Sequence, residues 1–176
     1  ISDKPITTVI NTHTHYDHTS GNVDFPATVE FIAQENTARM IATTSSITGI
    51  GNVENVFTSH PGKGLPKKTF KDTMTIGSGA DQIRLHYFGP AHTSGDTFVV
   101  FPAVRTMHVG DVFAWKALPF VDDANGGSVV EHPKTLGKAA ALPNIDTIIN
   151  GHIPISTPAE LKEYVAFSQD FVDWGT

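Results

Sequence analysis

The chain has 176 residues and 39% hydrophobic residues, including 11 Phe, which suits one domain with a buried core and argues against disorder. A net charge of −6 without a basic run speaks against a nucleic-acid partner, and no apolar stretch approaches the ~20 residues that cross a bilayer, so no membrane partner is expected either. Cysteine is absent, which excludes disulfides, Cys-ligated zinc, iron–sulfur clusters and thiol catalysis. Ile1 to Pro5 shows no basic segment followed by an apolar one, and the first residue is not Met; the start is therefore expected to have been removed.

In chain order, Ile6 to Ile10 is a β-branched run and predicts a buried strand. It leads into a polar loop, Asn11 to Asn22. Ala27 to Ala33 predicts a second strand, and Glu35 to Ile47 a helix with Ala38, Ile41 and Ala42 on one face. Gly49 to Lys68, rich in Gly and Pro, predicts a long irregular loop of the kind that is mobile or functional. Thr69 to Ile76 and Gln82 to Phe88 flank Gly77-Ser-Gly79 and predict a hairpin. Thr97 to Phe101 and Arg105 to Val109, joined through Pro102-Ala103, predict another.

Pro133 to Leu142 predicts a short helix, and Asp146 to Ile149 a buried strand ending at Asn150-Gly-His152. Thr157-Pro-Ala-Glu160 fits a capping box with Pro at the first helical position. Leu161, Val165, Ser168 and Val172 then recur at helical spacing. Strands and helices alternate, so the class is α/β, read as a single domain over residues 1–176.

Nine histidines are the unusual entry in the composition. His13, His15, Asp17 and His18 form His-x-His-x-Asp-His just after the first strand. In extended geometry residues 13, 15 and 17 share one side, and loops at the carboxyl ends of strands are where open α/β sheets place ligands. Imidazole and carboxylate suit Zn²⁺, Fe²⁺ or Mn²⁺, and four such groups within six residues exceed what one four-coordinate ion takes from so short a segment. Two metals are favoured. The alternative is a polar turn with solvated histidines, which describes a lone loop histidine better than this cluster.

The remaining ligands are expected at later strand ends. His92 in Gly89-Pro-Ala-His, Asp111 in Val109-Gly-Asp and His152 in Asn150-Gly-His each follow a β-run and a Gly or Pro. His86, His108 and His132 are read as structural or surface residues, and His60 as a candidate for a substrate entrance. Trp115 and Phe120 could wall a pocket beside the metals, with packing into the core as the alternative. Asn125 could hydrogen-bond a substrate, and Lys116 could meet a substrate carboxylate. Ser20, Ser94 and Ser128 lack the Gly-x-Ser-x-Gly elbow of a nucleophilic serine.

On the motif His13-x-His15-x-Asp17-His18, the turn at His92, Gly110-Asp111 and Gly151-His152, the chain resembles the metallo-β-lactamase superfamily of binuclear metallohydrolases. The resemblance implies an αββα sandwich. It also implies that His13, His15 and His92 hold one metal, that Asp17, His18 and His152 hold the second, and that Asp111 bridges them. Only twelve residues precede His13, so the first sheet is expected to be incomplete, its N-terminal part removed, belonging to a separate chain or disordered; a homo-oligomer is a further expectation.

The resemblance implies two Zn²⁺ per chain, with Fe or Mn as alternatives. The implied activity is hydrolysis of a small carbonyl substrate (lactone, ester, thioester or β-lactam) by a metal-bridging hydroxide, with Asp17 orienting it or returning a proton. Asp111 separates the chain from true class B β-lactamases, which carry Cys or Ser there, although a true β-lactamase stays an alternative. His15 separates it from the diiron flavoproteins, which have Glu. An iron-dependent sulfur dioxygenase of the same fold and a non-catalytic metal-stabilised module are the competing readings.

Overall fold

A computed structural model describes residues 3–175; Ile1 and Ser2, at the start of the opening segment, and Thr176 lie outside the described residues. The strands are β1 (Thr8–Ile10), β2 (Glu30–Gln34), β3 (Ser46–Ile47), β4 (Gly51–Asn52), β5 (Lys68–Phe70), β6 (Thr73–Ile76), β7 (Ile83–His86), β8 (Phe98–Phe101), β9 (Thr106–His108) and β10 (Thr147–Ile149). The helices are α1 (Tyr16–Thr19), α2 (Glu35–Met40), α3 (His132–Ala140) and α4 (Pro158–Gly175). No helix among the described residues is long and apolar enough to cross a membrane.

The strands form two main sheets. One is three-stranded in the order β1-β2-β5, with both pairings parallel. The other is five-stranded in the order β10-β9-β8-β7-β6, antiparallel except for the β10–β9 pair. Apolar alternation explains how they meet. Ile32 and Phe70 from the first sheet and Leu85 and Val99 from the second form one buried cluster, with Ile10, Met74 and Phe101 packed against it. On the opposite face of the five-stranded sheet, Phe98, Val100, Met107 and Ile148 pack with Leu136 of α3 and with Leu161 and Tyr164 of α4. The result is the αββα arrangement, with three strands in the first sheet.

Two expected elements come out differently. The helix expected over Glu35 to Ile47 ends at Met40. Thr43 and Thr44 both turn their hydroxyls onto the Met40 carbonyl, at 3.1 Å each, which offers the backbone a local alternative to continued helix. Ser46 and Ile47 then form a short strand with Gly51 and Asn52. The run Thr69 to Ile76 is two strands in two sheets. The chain crosses between them at Lys71-Asp72, where the Lys71 carbonyl accepts from Gln34 Nε2 (3.1 Å) and the Asp72 carbonyl from the Tyr87 amide (2.8 Å).

The first strand is also shorter and less buried than the run Ile6 to Ile10 suggests: β1 is an edge strand with β2 on one side, it is only partly buried, and Ile6 before it is exposed. The turn and capping signals hold. Gly77 (φ +68°) turns the β6–β7 hairpin, and Arg105 takes the left-handed conformation (φ +52°) that closes β8 onto β9. The capping box at α4 is reciprocal: the Thr157 amide donates to Glu160 Oε2 (2.8 Å), and the Glu160 amide to Thr157 Oγ1 (3.3 Å). His132 is buried and meets the Val112 carbonyl at 2.9 Å, and His86 stacks on Phe88, so both serve the structure.

Strand direction positions the site. The carboxyl ends of β1, β9 and β10 and the connection entering β8 lie at one end of the sandwich, and His13, Asp111, His152 and His92 sit at these four places. Leu85 is fully buried between the sheets. Leu85→Ala is expected to lower the unfolding free energy by about 2–5 kcal/mol in a denaturant titration, while a loss below about 1 kcal/mol would mean that the sheets do not close on each other there.

Candidate metal centre

The His-rich segment is held by its own polar groups. Asn11 and Asn22 exchange amide hydrogen bonds (3.3 and 2.9 Å), which closes the loop between them. Asn22 also donates to the Gly64 carbonyl at 3.0 Å, and the backbone passes so close that a Cβ on Gly64 would collide with Asn22. The strand-like alternation expected for residues 13, 15 and 17 stops at His15. Tyr16 begins α1, and this single turn, rather than an extended strand, brings Asp17 and His18 to the cluster. Thr19 Oγ1 fixes the turn by donating to the His15 carbonyl at 2.9 Å.

All seven expected ligands converge. His13, His15, His92 and Asp111 each offer one ligand atom, and these atoms lie within 4.8 Å of one another. Asp17, His18, Asp111 and His152 form a second such group, so Asp111 is common to both. Its Oδ2 lies 3.9 Å from His13 Nε2, 3.8 Å from His92 Nε2 and 3.0 Å from His152 Nε2, and its Oδ1 lies 3.3 Å from His18 Nε2. The first group is buried throughout; in the second, Asp17 and His152 are exposed.

Hydrogen bonds on the outer side of the ring fix each imidazole of the buried group. His13 Nδ1 meets Thr12 Oγ1 at 3.0 Å, which leaves Nε2 to face the cluster. His92 Nδ1 donates to the Phe120 carbonyl at 2.7 Å, and its Nε2 faces inward. His15 is turned the other way. Its Nε2 meets Asp122 Oδ2 at 2.7 Å, and its Nδ1 faces His92 Nε2 at 3.1 Å. Asp122 is fully buried and is itself anchored by the Thr48 amide (2.9 Å) and by Asn125 Nδ2 (2.5 Å). Such carboxylate–histidine pairs orient a metal-binding ring and raise its basicity. Sequence reasoning missed Asp122, because it lies 107 residues from His15 in an unpatterned loop.

The electrostatics suit cations. Burial, and then the neighbouring rings of His92, His18, His15 and His152, push the pKa of His13 well below its ordinary value. Burial followed by His15 lowers that of His92 to about 4. Both rings are therefore neutral at physiological pH, with lone pairs available. His13 Nε2 is buried without a hydrogen-bond partner, an atom that a metal would satisfy. In the outer group, burial opposes charge on His18, but Asp111 and Asp17 outweigh it and raise the pKa to about 9. Hydrogen bonding to His18 lowers Asp17 to about 2. The residues present thus fit a pair of cations sharing Asp111.

Aromatic side chains wall the exposed side. Trp115 stacks on Phe120, with ring centroids 6.2 Å apart, and lies 5.8 Å from the His152 ring; Phe120 lies 5.4 Å from the His92 ring. Asn125, expected at the substrate, is a correction. It is buried, its Nδ2 donates to the Ser46 carbonyl and to Asp122, and its Oδ1 accepts from Thr44 Oγ1, so its amide is spent inside the protein. Lys116 is paired with Glu160 rather than presented to the site. His60 Nδ1 bonds its own turn at the Val56 carbonyl, 3.0 Å away.

Gly151 tests the shared carboxylate. A Cβ there would fall on Asp111 Oδ1, whereas one at Gly137 first meets Val165 Cγ1 at 3.7 Å. Gly151→Ala is therefore expected to lose bound metal in elemental analysis with the fold intact by circular dichroism, and Gly137→Ala to keep it; full metal content in Gly151→Ala would place Asp111 outside the centre.

Solved structures of the same fold include a metallo-β-lactamase from Pontibacter korlensis, which is 18% identical with a TM-score of 0.69, covering 95% of this chain and 71% of that one. Another, from Erythrobacter litoralis, is 18% identical with a TM-score of 0.70, covering 95% of this chain and 69% of that one. At that identity the likeness concerns the fold alone. A curated relative, the 2,4-dinitroanisole O-demethylase subunit alpha of Nocardioides sp. (strain JS1661), is 31% identical over 123 residues, or 68% of this chain. The chain spans about a third of that relative's length, 33%. The family model of the metallo-β-lactamase superfamily matches residues 1–152, and on that match, with the αββα fold and the two-part His/Asp cluster, the chain belongs to this superfamily.

Proposed function

We propose that the chain is a binuclear, zinc-dependent hydrolase of a small carbonyl substrate such as a lactone, ester, thioester or β-lactam. The observation that carries this reading is the pair of ligand groups sharing one buried carboxylate. His13, His15, His92 and Asp111 would hold one cation, and Asp17, His18, His152 and Asp111 the other. When bound, two such cations supply Lewis acidity and lower the pKa of water toward ~7.

The chain's own residues divide the remaining work. Asp122, Thr12 and the Phe120 carbonyl hold three imidazoles with the correct nitrogen inward. Asp17 is half-exposed and ionised, so it can accept a hydrogen bond from water at the open side and orient it toward a substrate. Trp115 and Phe120 supply an apolar face against which a substrate body can lie while its reacting carbon meets the cluster.

A second reading has its own support. The relative at 31% identity is named for O-demethylation of 2,4-dinitroanisole, a planar aryl ether, and the stacked Trp115–Phe120 wall suits a planar ring. In such a reaction water adds at the ring carbon that bears the ether oxygen, and methanol departs with a proton, leaving the phenolate.

The zinc-loaded protein, assayed against chromogenic lactone, thioester, ester and β-lactam substrates and against 2,4-dinitroanisole, separates the two. Turnover of a carbonyl substrate that falls at least about 100-fold in Asp111→Ala is the expected result. Coloured phenolate release from dinitroanisole alone would select the second reading, and no turnover of any member by the two-metal protein would overturn both.

A further inference from the structure

The end of the five-stranded sheet away from the metal cluster carries a groove with no part in the chemistry above. It lies where β7 and β9 begin and β8 ends, and has a volume of about 470 Å³. Val100, Pro102, Ala103, Leu142, Pro143 and Ile145 give it an apolar lining. Its polar groups are Arg84, His86, Arg105 and Asn144.

The charge distribution is the informative part. The chain has three arginines and a net charge of −6, yet two of the three line this one groove. Arg105 is neutralised by Asp146, which takes both its Nε and its Nη2 (the latter at 2.7 Å to Oδ1). Arg84 is not. Its Nε donates to Gln82 Oε1 at 2.8 Å, and no carboxylate lies within ion-pair distance among the described residues. Burial, then the charge of Arg84, lowers the pKa of His86, so His86 adds no second cation at neutral pH. The groove therefore offers one uncompensated guanidinium beside an apolar trough.

We propose that this groove binds a monocarboxylate with an apolar tail, its carboxylate on the Arg84 guanidinium and its tail along Val100, Leu142 and Ile145. A guanidinium presents two parallel N–H donors that match the two oxygens of a carboxylate, which a neutral head group cannot reproduce. The volume falls within the ~300–1,000 Å³ range of small-molecule sites, and the apolar lining supplies the burial that a bare inorganic anion could not use.

The test is titration of the full chain with octanoate, followed by backbone amide NMR, with octanol as the neutral probe. Expected are saturable shifts centred on Arg84, Val100, Ala103 and Ile145, weakened at least about tenfold in Arg84→Gln and for octanol, and retained in Asp111→Ala. Arg84 is exposed, so its variant is expected to keep the wild-type melting temperature. Shifts confined to the residues around His152 and Asp111, shifts as strong in Arg84→Gln as in the wild type, or no saturable shift at millimolar octanoate would each overturn the proposal. Ala103→Asp, placing a carboxylate at an exposed position in the trough lining, supplies an independent arm: with the melting temperature unchanged it too should abolish the shifts, and unchanged binding would count against the site.

Discussion

A single buried carboxylate, Asp111, stands within 4 Å of four imidazoles that belong to different parts of the chain. Burial of a carboxylate is costly unless positive charge compensates it. Here the compensation is divided. His18 takes a proton readily because Asp111 and Asp17 surround it, while His13 and His92 refuse one because they are buried among other rings. The neutral, lone-pair-bearing rings of the inner group and the shared acid between the two groups therefore call for cations. Much of the architecture serves that demand. Parallel β1, with β9 and β10, delivers ligands from its carboxyl end, and the loop around Asp122 keeps His15 turned with Nδ1 toward the centre.

The centre is asymmetric in its access. The first ligand group is closed off by Phe120 and by buried polar partners, and the second opens to solvent at Asp17 and His152. A substrate would therefore approach over Trp115 and meet the exposed group first. Asp17 is thus the solvent-facing acid of the cluster, and the inner group is the one held rigidly by its surroundings, the combination expected where rigid support and an open coordination face coexist.

Much of this was legible in the sequence because its signals are local. The ligand motif lies within six residues, the later ligands each follow a strand and a Gly or Pro, and the capping box announces α4. What escaped is non-local or depends on competition. Asp122 reaches His15 only because two distant loops meet. Asn125 reads as a free polar side chain until its three internal partners are seen. The end of α2 was obscured because propensity favours continuing, while Thr43 and Thr44 divert the backbone. The single run from Thr69 to Ile76 concealed a change of sheet, since both halves carry the same alternating pattern.

The central claim is that the seven side chains form two cation sites sharing one acid. Equilibrium dialysis of the metal-stripped chain against Co²⁺, read by elemental analysis and visible absorption, tests it most directly. The account predicts two equivalents per chain for the wild type. It further predicts that His152→Ala keeps one equivalent with the spectrum of the inner, imidazole-rich site. Binding of a single equivalent by the wild type, or loss of both equivalents in His15→Ala with the Asp17, His18 and His152 group intact and folded, would contradict it.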